Sequence, residues 1–403
     1  MGDANGDGSV NIFDLSALAN EWGQSQDQNS DKSYLLMDPV AVKAHIANGD
    51  QPFKDGYSKL ITAANSALNN TPNVYAGLEI GTDPHIYDSY QDAKWVRTLA
   101  LAYALSGNTT YRDKARSAIE AWASGNTPRP CTGGWGNGTD TGQMQGLTYW
   151  PFAYATSLVY DTPPVLVTDW GNKIAYSMKD CLINQELKNI NSYGTTRLPY
   201  AWHLGMTESR ADYARGGDFV LFELGALSSW ANLVGDKSTR DWAFDPSNPV
   251  GAVQSIHSSL EPDNDGDTLG TIPAPQKNIV YSLNPVQGPA YNNDGPTKTT
   301  YNARIAHLLA IQGESLGYGT LTRYTPSLKH TWGWLGSFCP PNNTKIWPDP
   351  SVNNATAWDP NKSRFMMGLF LEPDNTHFKE IIGTTASTAS DSQIAGPLWS
   401  LLP

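Results

Sequence analysis

Up to about residue 340 the apolar positions recur every three or four residues, the spacing of one helical face. Asp92 to Leu105, DAKWVRTLALAYAL, places Trp95, Leu99, Ala102 and Leu105 together, and Thr110 to Trp122 does the same with Tyr111, Ala115, Ile119 and Trp122. Ser106-Gly107-Asn108 turns the chain between them, so the unit reads as an αα-hairpin. The same pattern predicts helices over Pro39 to Ile46, Phe53 to Leu68, Leu147 to Tyr160, Val165 to Ile183, Gly217 to Leu233, Val250 to Leu260, Tyr301 to Leu316 and Pro326 to Leu335. Val234-Gly235-Asp236 reads as a turn and Asp83 to Tyr90 as a loop. No alternating strand run precedes residue 340, and a short β-rich or irregular tail is expected after it. Repeated helical hairpins in one large domain predict an all-α fold with helices stacked in a ring or solenoid.

The first residues break this rhythm. Asp3 to Asp14, DANGDGSVNIFD, places oxygen-bearing side chains at loop positions 1, 3, 5, 9 and 12: Asp3, Asn5, Asp7, Asn11 and Asp14. Gly8 stands at the sharp turn, and the Ser9 carbonyl adds a further oxygen. A hard cation such as Ca²⁺ needs such a ring. A helix follows with Leu15, Leu18 and Trp22 as its apolar face. The expected organisation is a calcium-binding repeat over 1–23, a polar linker over 24–38 and a helical domain over 39–403.

Composition narrows the partners. Of the 403 residues 39% are hydrophobic, 11% aromatic and 16% charged, which describes a folded chain. A net charge of −12 disfavours nucleic acid. Residues 1–55 carry nine acids against Lys32, Lys43 and Lys54, a balance of −6 that leaves −6 for the longer remainder. A local cationic cleft is compatible with that. Cys131, Cys181 and Cys339 permit one disulfide and a free thiol, or three free thiols. No apolar run is long enough to span a membrane. No signal peptide is visible, and the expectation is a secreted or cell-surface bacterial protein whose leader is not part of this chain.

Candidate chemistry lies in the polar stretches between helices. In Pro289 to Gly319 a loop of Asn, Asp, Gly and Pro becomes a helix, with Thr299 or Thr300 as its cap and Gly317 as its stop. Tyr301 then falls in the first turn. Spacing alone leaves two readings open, a core aromatic and a phenol activated as a base by Lys298 and Arg304. Asn191 to Asp218 gathers Arg197, Tyr200, His203, Arg210 and Arg215 in one long loop, and guanidinium grips carboxylate in a fork. His257 sits on a helix beside a second polar segment that holds Tyr291. Gln143 and Gln145 precede a helix rich in Tyr and Trp, and their amides suit sugar hydroxyls. Asp263 to Asp267, DNDGD, lacks the later ligands of a cation loop and reads as a polar turn; His307 reads as packing. No nucleophile elbow, phosphate loop, zinc signature or glycosidase acid pair is present. Tyr, His, Arg and amides are what β-elimination of a uronate requires: a base for the C5 hydrogen, an acid for the leaving O4 and donors for the carboxylate.

Two resemblances sharpen this. Asp3 to Gly23 resembles one repeat of a bacterial dockerin, which has two; this implies Ca²⁺ in a structural role and a cohesin-like partner. The hairpin YQDAKWVRTLALAYALSGNTTYRDKARSAIEAW, the segment GGDFVLFELGALSSWANLVGDKS and the helix TTYNARIAHLLAIQGESLGYG resemble alginate-lyase-like polysaccharide lyases, family 38 and more distantly family 5. The likeness covers roughly residues 80 to 335. It implies an α/α toroid, an incomplete ring of helical hairpins with a cleft for a polyuronate and no catalytic cofactor. By position Tyr301 would be the acid/base, and the His role falls on His203 or His257. Family 5 members have an Asn-His pair where this chain has Arg215-Gly216-Gly217-Asp218, which makes Arg215 the candidate neutraliser by charge. Arg197, Tyr200, Gln143, Gln145, Tyr291 and Lys298 would bind substrate.

The resulting expectation is a lyase that cleaves a β-1,4-linked acidic polysaccharide, glucuronan or mannuronate-rich alginate, by β-elimination. The alternatives are a uronoside hydrolase on a similar helical ring and a non-catalytic carbohydrate-binding scaffold component.

Overall fold

The computed structural model describes residues 36, 39–49, 53–77, 85–128, 141–187, 218–248, 250–260, 295–344, 362, 364–372 and 374–383. Among them all regular structure is helical. In chain order the helices are α1 (Pro39–Asn48), α2 (Phe53–Ala67), α3 (His85–Ser106), α4 (Thr109–Gly125), α5 (Thr141–Val159), α6 (Val165–Cys181), α7 (Asp218–Leu233), α8 (Lys237–Phe244), α9 (Ala252–Leu260), α10 (Gly295–Ser315), α11 (Thr320–Gly336), α12 (Met366–Leu371) and α13 (Thr376–Gly383). A π-helical turn, Leu182–Leu187, extends α6.

Sequence sorts these helices into two kinds. In α3, α5, α7 and α10, long runs are buried on every face: 95–102, 145–159, 220–231 and 305–312. A helix apolar all round must be surrounded by protein. These four pack in succession, α3 on α5, α5 on α7, α7 on α10. The helices that follow them are one-sided. In α4 the buried set is Tyr111, Ala115, Ala118, Ile119 and Trp122, and in α6 it includes Val167, Trp170, Ile174 and Met178. They cover the inner row from outside, α4 on α3 and α6 on α7, with α11 on α10.

Glycine lets the inner helices approach. A Cβ on Gly146 of α5 would lie 2.6 Å from the Phe222 carbonyl carbon of α7, and one on Gly225 would lie 2.3 Å from the Trp150 ring. Aromatic rings then run across the interior: Trp122 to Phe152 at 5.4 Å, Phe152 to Trp170 at 5.5 Å, Trp170 to Trp230 at 5.2 Å. Each indole N–H in this core has an acceptor. Trp95 and Trp122 donate to Asp92, Trp170 to the Asn126 side chain, Trp230 to the Tyr149 carbonyl and Trp150 to Gln312. Burial nevertheless holds the Asp92 carboxyl above the usual range, against the lowering effect of those indoles.

Several expected boundaries hold. Gly107 and Gly235 both have φ near +75° (75° and 76°), at the turns after α3 and α7. Gly317 N–H reaches the Glu314 carbonyl and Tyr318 N–H the Gly313 carbonyl, so the glycine stops α10 in a Schellman turn. Others differ. α3 begins at His85, inside the expected 83–90 loop. α10 begins at Gly295, so Thr300 is a buried helical residue and not the cap, and Tyr301 lies in the second turn. α11 begins at Thr320 and runs through Pro326. The short α8 was not expected; Asp236 caps it by accepting the Thr239 N–H at 3.0 Å. The tail after 340 carries helices α12 and α13 and, among the described residues, no strand. Cys181 is disulfide-bonded and Cys339 is a buried thiol outside any disulfide, the first of the two cysteine alternatives. Among the described residues no helix is long and apolar enough to cross a membrane.

His307 on α10 is fully buried, as expected of a packing residue. Its Nδ1 accepts the Trp332 indole N–H at 3.3 Å, and burial pushes the imidazole down to about 3. Above about pH 6.5 both folded and unfolded chains hold it neutral, and its contribution is fully present. As pH falls from there towards 3, only the unfolded chain takes up the proton, and stability falls by up to ~1.4 kcal/mol per pH unit. His307→Gln keeps an acceptor for Trp332 without titrating. The gap in urea midpoint between wild type and this variant is expected to narrow between about pH 6.5 and pH 4; a constant gap contradicts the assignment.

Candidate functional site

The face of α3 opposite its Trp95–Leu99 stripe carries a second stripe, Tyr90, Lys94 and Arg97, at four- and three-residue spacing. It points to where α10 presents Tyr301 and Arg304, again three residues apart on one face. Phe222 of α7 packs against the Tyr301 ring at a centroid distance of 5.5 Å and against Trp150 of α5 at 6.0 Å. A turn just before α12 delivers Arg364. Its guanidinium carbon lies 5.3 Å from the Tyr301 ring centroid, and its Nη1 donates to Thr300 Oγ1 at 2.8 Å. Tyr301 itself is half-buried. The site therefore draws on α3, α7, α10 and the chain around 364, with Tyr154 of α5 beside Arg97.

Electrostatics bind these side chains into one cluster. Arg97 is only 7% exposed, and burial lowers it to about 10, with Tyr90 opposing and Arg304 adding to the effect. Burial lowers Arg304 as well, while Tyr90 and Tyr301 oppose it. Arg364 falls to about 10 through burial and then Arg304, against Tyr301 and Tyr90. Arg304 and Arg364 keep some surface area open, yet both are desolvated enough to disfavour their charged form. Lys94 falls to about 8 through burial, Arg97 and Arg304. It donates to Gln91 Oε1 at 3.2 Å and lies 4.8 Å from the Tyr90 ring centroid. Burial raises the Tyr154 phenol, against the pull of Arg97. Glu223, the residue after Phe222, is a buried acid on α7.

Three guanidiniums and an ammonium linked through Arg304, with the half-buried phenols of Tyr90 and Tyr301 among them, are suited to one class of ligand group. A carboxylate offers two oxygens to planar guanidinium forks, and its negative charge offsets the repulsion among the cations. A phenol beside cations is also the arrangement in which phenolate is most accessible.

Of the residues singled out from sequence, Tyr301 is in this cluster, with Arg304 as the cation beside it. Gln145 is not: it is fully buried and accepts the Ser177 hydroxyl of α6 at 3.2 Å, so it is a core amide joining α5 to α6. Gln143 and Lys298 lie on α5 and α10, and His257 on α9, but their side chains are outside the described residues. Arg197, Tyr200, His203, Arg215, Tyr291 and the six calcium-loop positions, Asp3, Asn5, Asp7, Ser9, Asn11 and Asp14, also lie outside the described residues. Sequence reasoning missed Lys94, Arg97 and Arg364. The Tyr90–Lys94–Arg97 stripe could have been found as a polar line on an otherwise apolar helix; nothing in sequence links Arg364 to Tyr301.

No protein-family model matches the chain, and no curated protein matches it.

Lys94 offers a direct check on this electrostatic picture. At about pH 8 roughly half of its amine is neutral, against roughly one in a few hundred for an ordinary lysine. Limited acylation at that pH, read by peptide mass mapping, is expected to label Lys94 ahead of the exposed Lys43 and Lys54. Labelling no faster than theirs would show that the cluster does not lower it.

Proposed function

We propose that the chain is a polysaccharide lyase that cleaves a β-1,4-linked polyuronate by β-elimination. The single observation that carries this reading is the pair of desolvated guanidiniums, Arg304 and Arg364, beside Tyr301, with Arg97 next to Arg304. The C5 hydrogen of a uronate is α to a carboxylate, and its removal places further negative charge on that group. Arg97, Arg304 and Arg364 supply positive charge for it in a desolvated site, where such charge acts most strongly. The Tyr301 phenolate takes the C5 proton, the C4–O4 bond breaks, and a C4–C5 double bond forms. The phenol then returns the proton to O4 of the departing sugar, so Tyr301 is base and acid in turn. Arg215 and either His203 or His257 remain further candidates beside the carboxylate.

The inner row α3, α5, α7, α10 with its outer cover is read here as the arc of an α/α toroid whose cleft is the site. A disulfide at Cys181 fits an oxidising compartment and so a secreted or cell-surface protein. The reaction needs no cofactor. Ca²⁺ in the Asp3–Asp14 loop would be structural, and the dockerin-like repeat would serve a cohesin-like partner. Chelation is accordingly expected to leave the cleavage rate unchanged; loss of cleavage with the helical domain still folded would contradict this.

The rival reading is a uronoside hydrolase, which Glu223 favours as a buried acid beside Phe222. The two are separated by digesting glucuronan, polymannuronate, polyguluronate and hyaluronan. A lyase produces the ultraviolet absorbance of the new double bond and loses about 10²–10⁴-fold in rate in Tyr301→Phe. Shortening without that absorbance, spared by Tyr301→Phe and abolished by Glu223→Gln, would establish the hydrolase instead.

A further inference from the structure

We propose that Arg364 is a positioning residue for Tyr301: delivered from the chain after α11, it holds the ring in place and supplies the charge that stabilises its phenolate. The inference deepens the lyase reading and rests on it for the role of Tyr301. The contact itself does not depend on any reaction.

Three observations carry it. Arg364 lies over the Tyr301 ring and is tied by Nη1 to the hydroxyl of Thr300, the neighbouring residue on α10. Guanidinium and ring are therefore held from the same helical turn. Arg364 is also anchored from behind. The next residue, Phe365, is fully buried between Trp332 of α11 at 5.6 Å and Phe378 of α13 at 5.8 Å. Phe378 in turn packs on Gly368 of α12, where a Cβ would come within 2.7 Å of its ring. A long cationic side chain is thus carried on an apolar plug and aimed at one phenol. Finally, Tyr301 is among the groups that raise Arg364, and the coupling of two charges is reciprocal: a guanidinium favoured by phenolate favours phenolate equally.

Other groups face the same phenol or its neighbours. Arg304 shares its helix, Tyr90, Lys94 and Arg97 come from α3, Tyr154 from α5, and Glu223 stands on α7 next to Phe222. Arg304 also acts on Tyr301 through charge. Arg364 differs in adding a cation–π contact and a bond to Thr300. Its loss should therefore change the placement of the ring as well as its ionisation.

The test is a spectrophotometric pH titration of the tyrosinate band, taken as the difference between each protein and its Tyr301→Phe counterpart, so that one phenol among many is read. In Arg364→Gln, polar, uncharged and shorter, the Tyr301 midpoint is expected to rise by about one pH unit or more. Arg364→Lys, which keeps a charge but not the planar fork, should shift it less. If Arg364→Gln does not fold, Thr300→Val is read in its place, with a smaller rise expected because the guanidinium is loosened rather than removed. A Tyr301 midpoint that none of these changes moves overturns the proposal. The lyase reading fails separately: wild type that yields no unsaturated product from any polyuronate sinks that reading, while the titration still reports whether Arg364 governs the phenol. With an active enzyme, the alkaline shift should also appear in the pH profile of kcat, which a merely structural role would not move.

Discussion

A polar group enclosed by helices on every side must find its partner inside the protein, and the inner row of this fold is organised by that requirement. Gln312 shows it most fully. Its carbonyl accepts the Trp150 indole at 2.6 Å and the Ser229 hydroxyl at 2.9 Å, while its amide donates to Ser228 Oγ at 2.6 Å and to the Gly225 carbonyl at 3.2 Å. One side chain of α10 thereby joins α5 to α7 at the point where Gly225 lets the Trp150 ring lie against the α7 backbone. Removing one member would leave the others buried without partners, which costs about 1–3 kcal/mol for each such group. Asp92 and Asn126 play the same part further along the row, each collecting N–H or O–H donors from separate elements.

Against that background the cluster of Lys94, Arg97, Arg304 and Arg364 is of a different kind. In the hubs around Gln312 and Asn126, neutral donors meet neutral acceptors. Here several cations are drawn into low dielectric close enough to lower one another. Desolvating like charges together opposes folding. On the proposed reading a ligand of opposite sign offsets that cost, in keeping with the concentration of strongly perturbed groups at working sites. The two requirements meet on α3. One face carries Asp92 and Trp95 into the hub with Trp122, and the other carries Lys94 and Arg97 to the site. Burial of the first face fixes the rotation of the second.

What could be read from sequence follows the range of the interactions involved. The turns at Gly107, Gly235 and Gly317 were legible because a residue with positive φ announces itself by its own identity. The stripes Trp95–Leu99–Leu105 and Tyr111–Ile119–Trp122 were legible because a helix projects its neighbours at fixed spacing. The start of α10 was not: Gly295-Pro296 looks like loop, although proline is tolerated in the first turn of a helix. Gln145 was misjudged because an amide near a polar segment looks available, while the Ser177 that occupies it lies on the next helix. That Tyr301 has Arg304 beside it was legible from their spacing in sequence. Arg364 belongs to the same site through contacts that no local pattern encodes.

Net acidity and a basic site are compatible in this chain for a reason of scale. Half of the −12 charge falls within residues 1–55. Exposed charges act over about a Debye length, ~8–10 Å at ordinary ionic strength, whereas enclosed ones are screened far less. Within the site the field is set by the guanidiniums at hand and not by the sum over the chain. Those cations stand together before any ligand arrives, held by helices that are fixed for other reasons. On the proposed reading, a uronate carboxylate entering among them would meet a field already in place and relieve repulsion as it bound. The rigidity that the Gln312 and Asp92 hubs give the inner row thus keeps Lys94, Arg97 and Arg304 in place, while Arg364 is held by the apolar packing of Phe365.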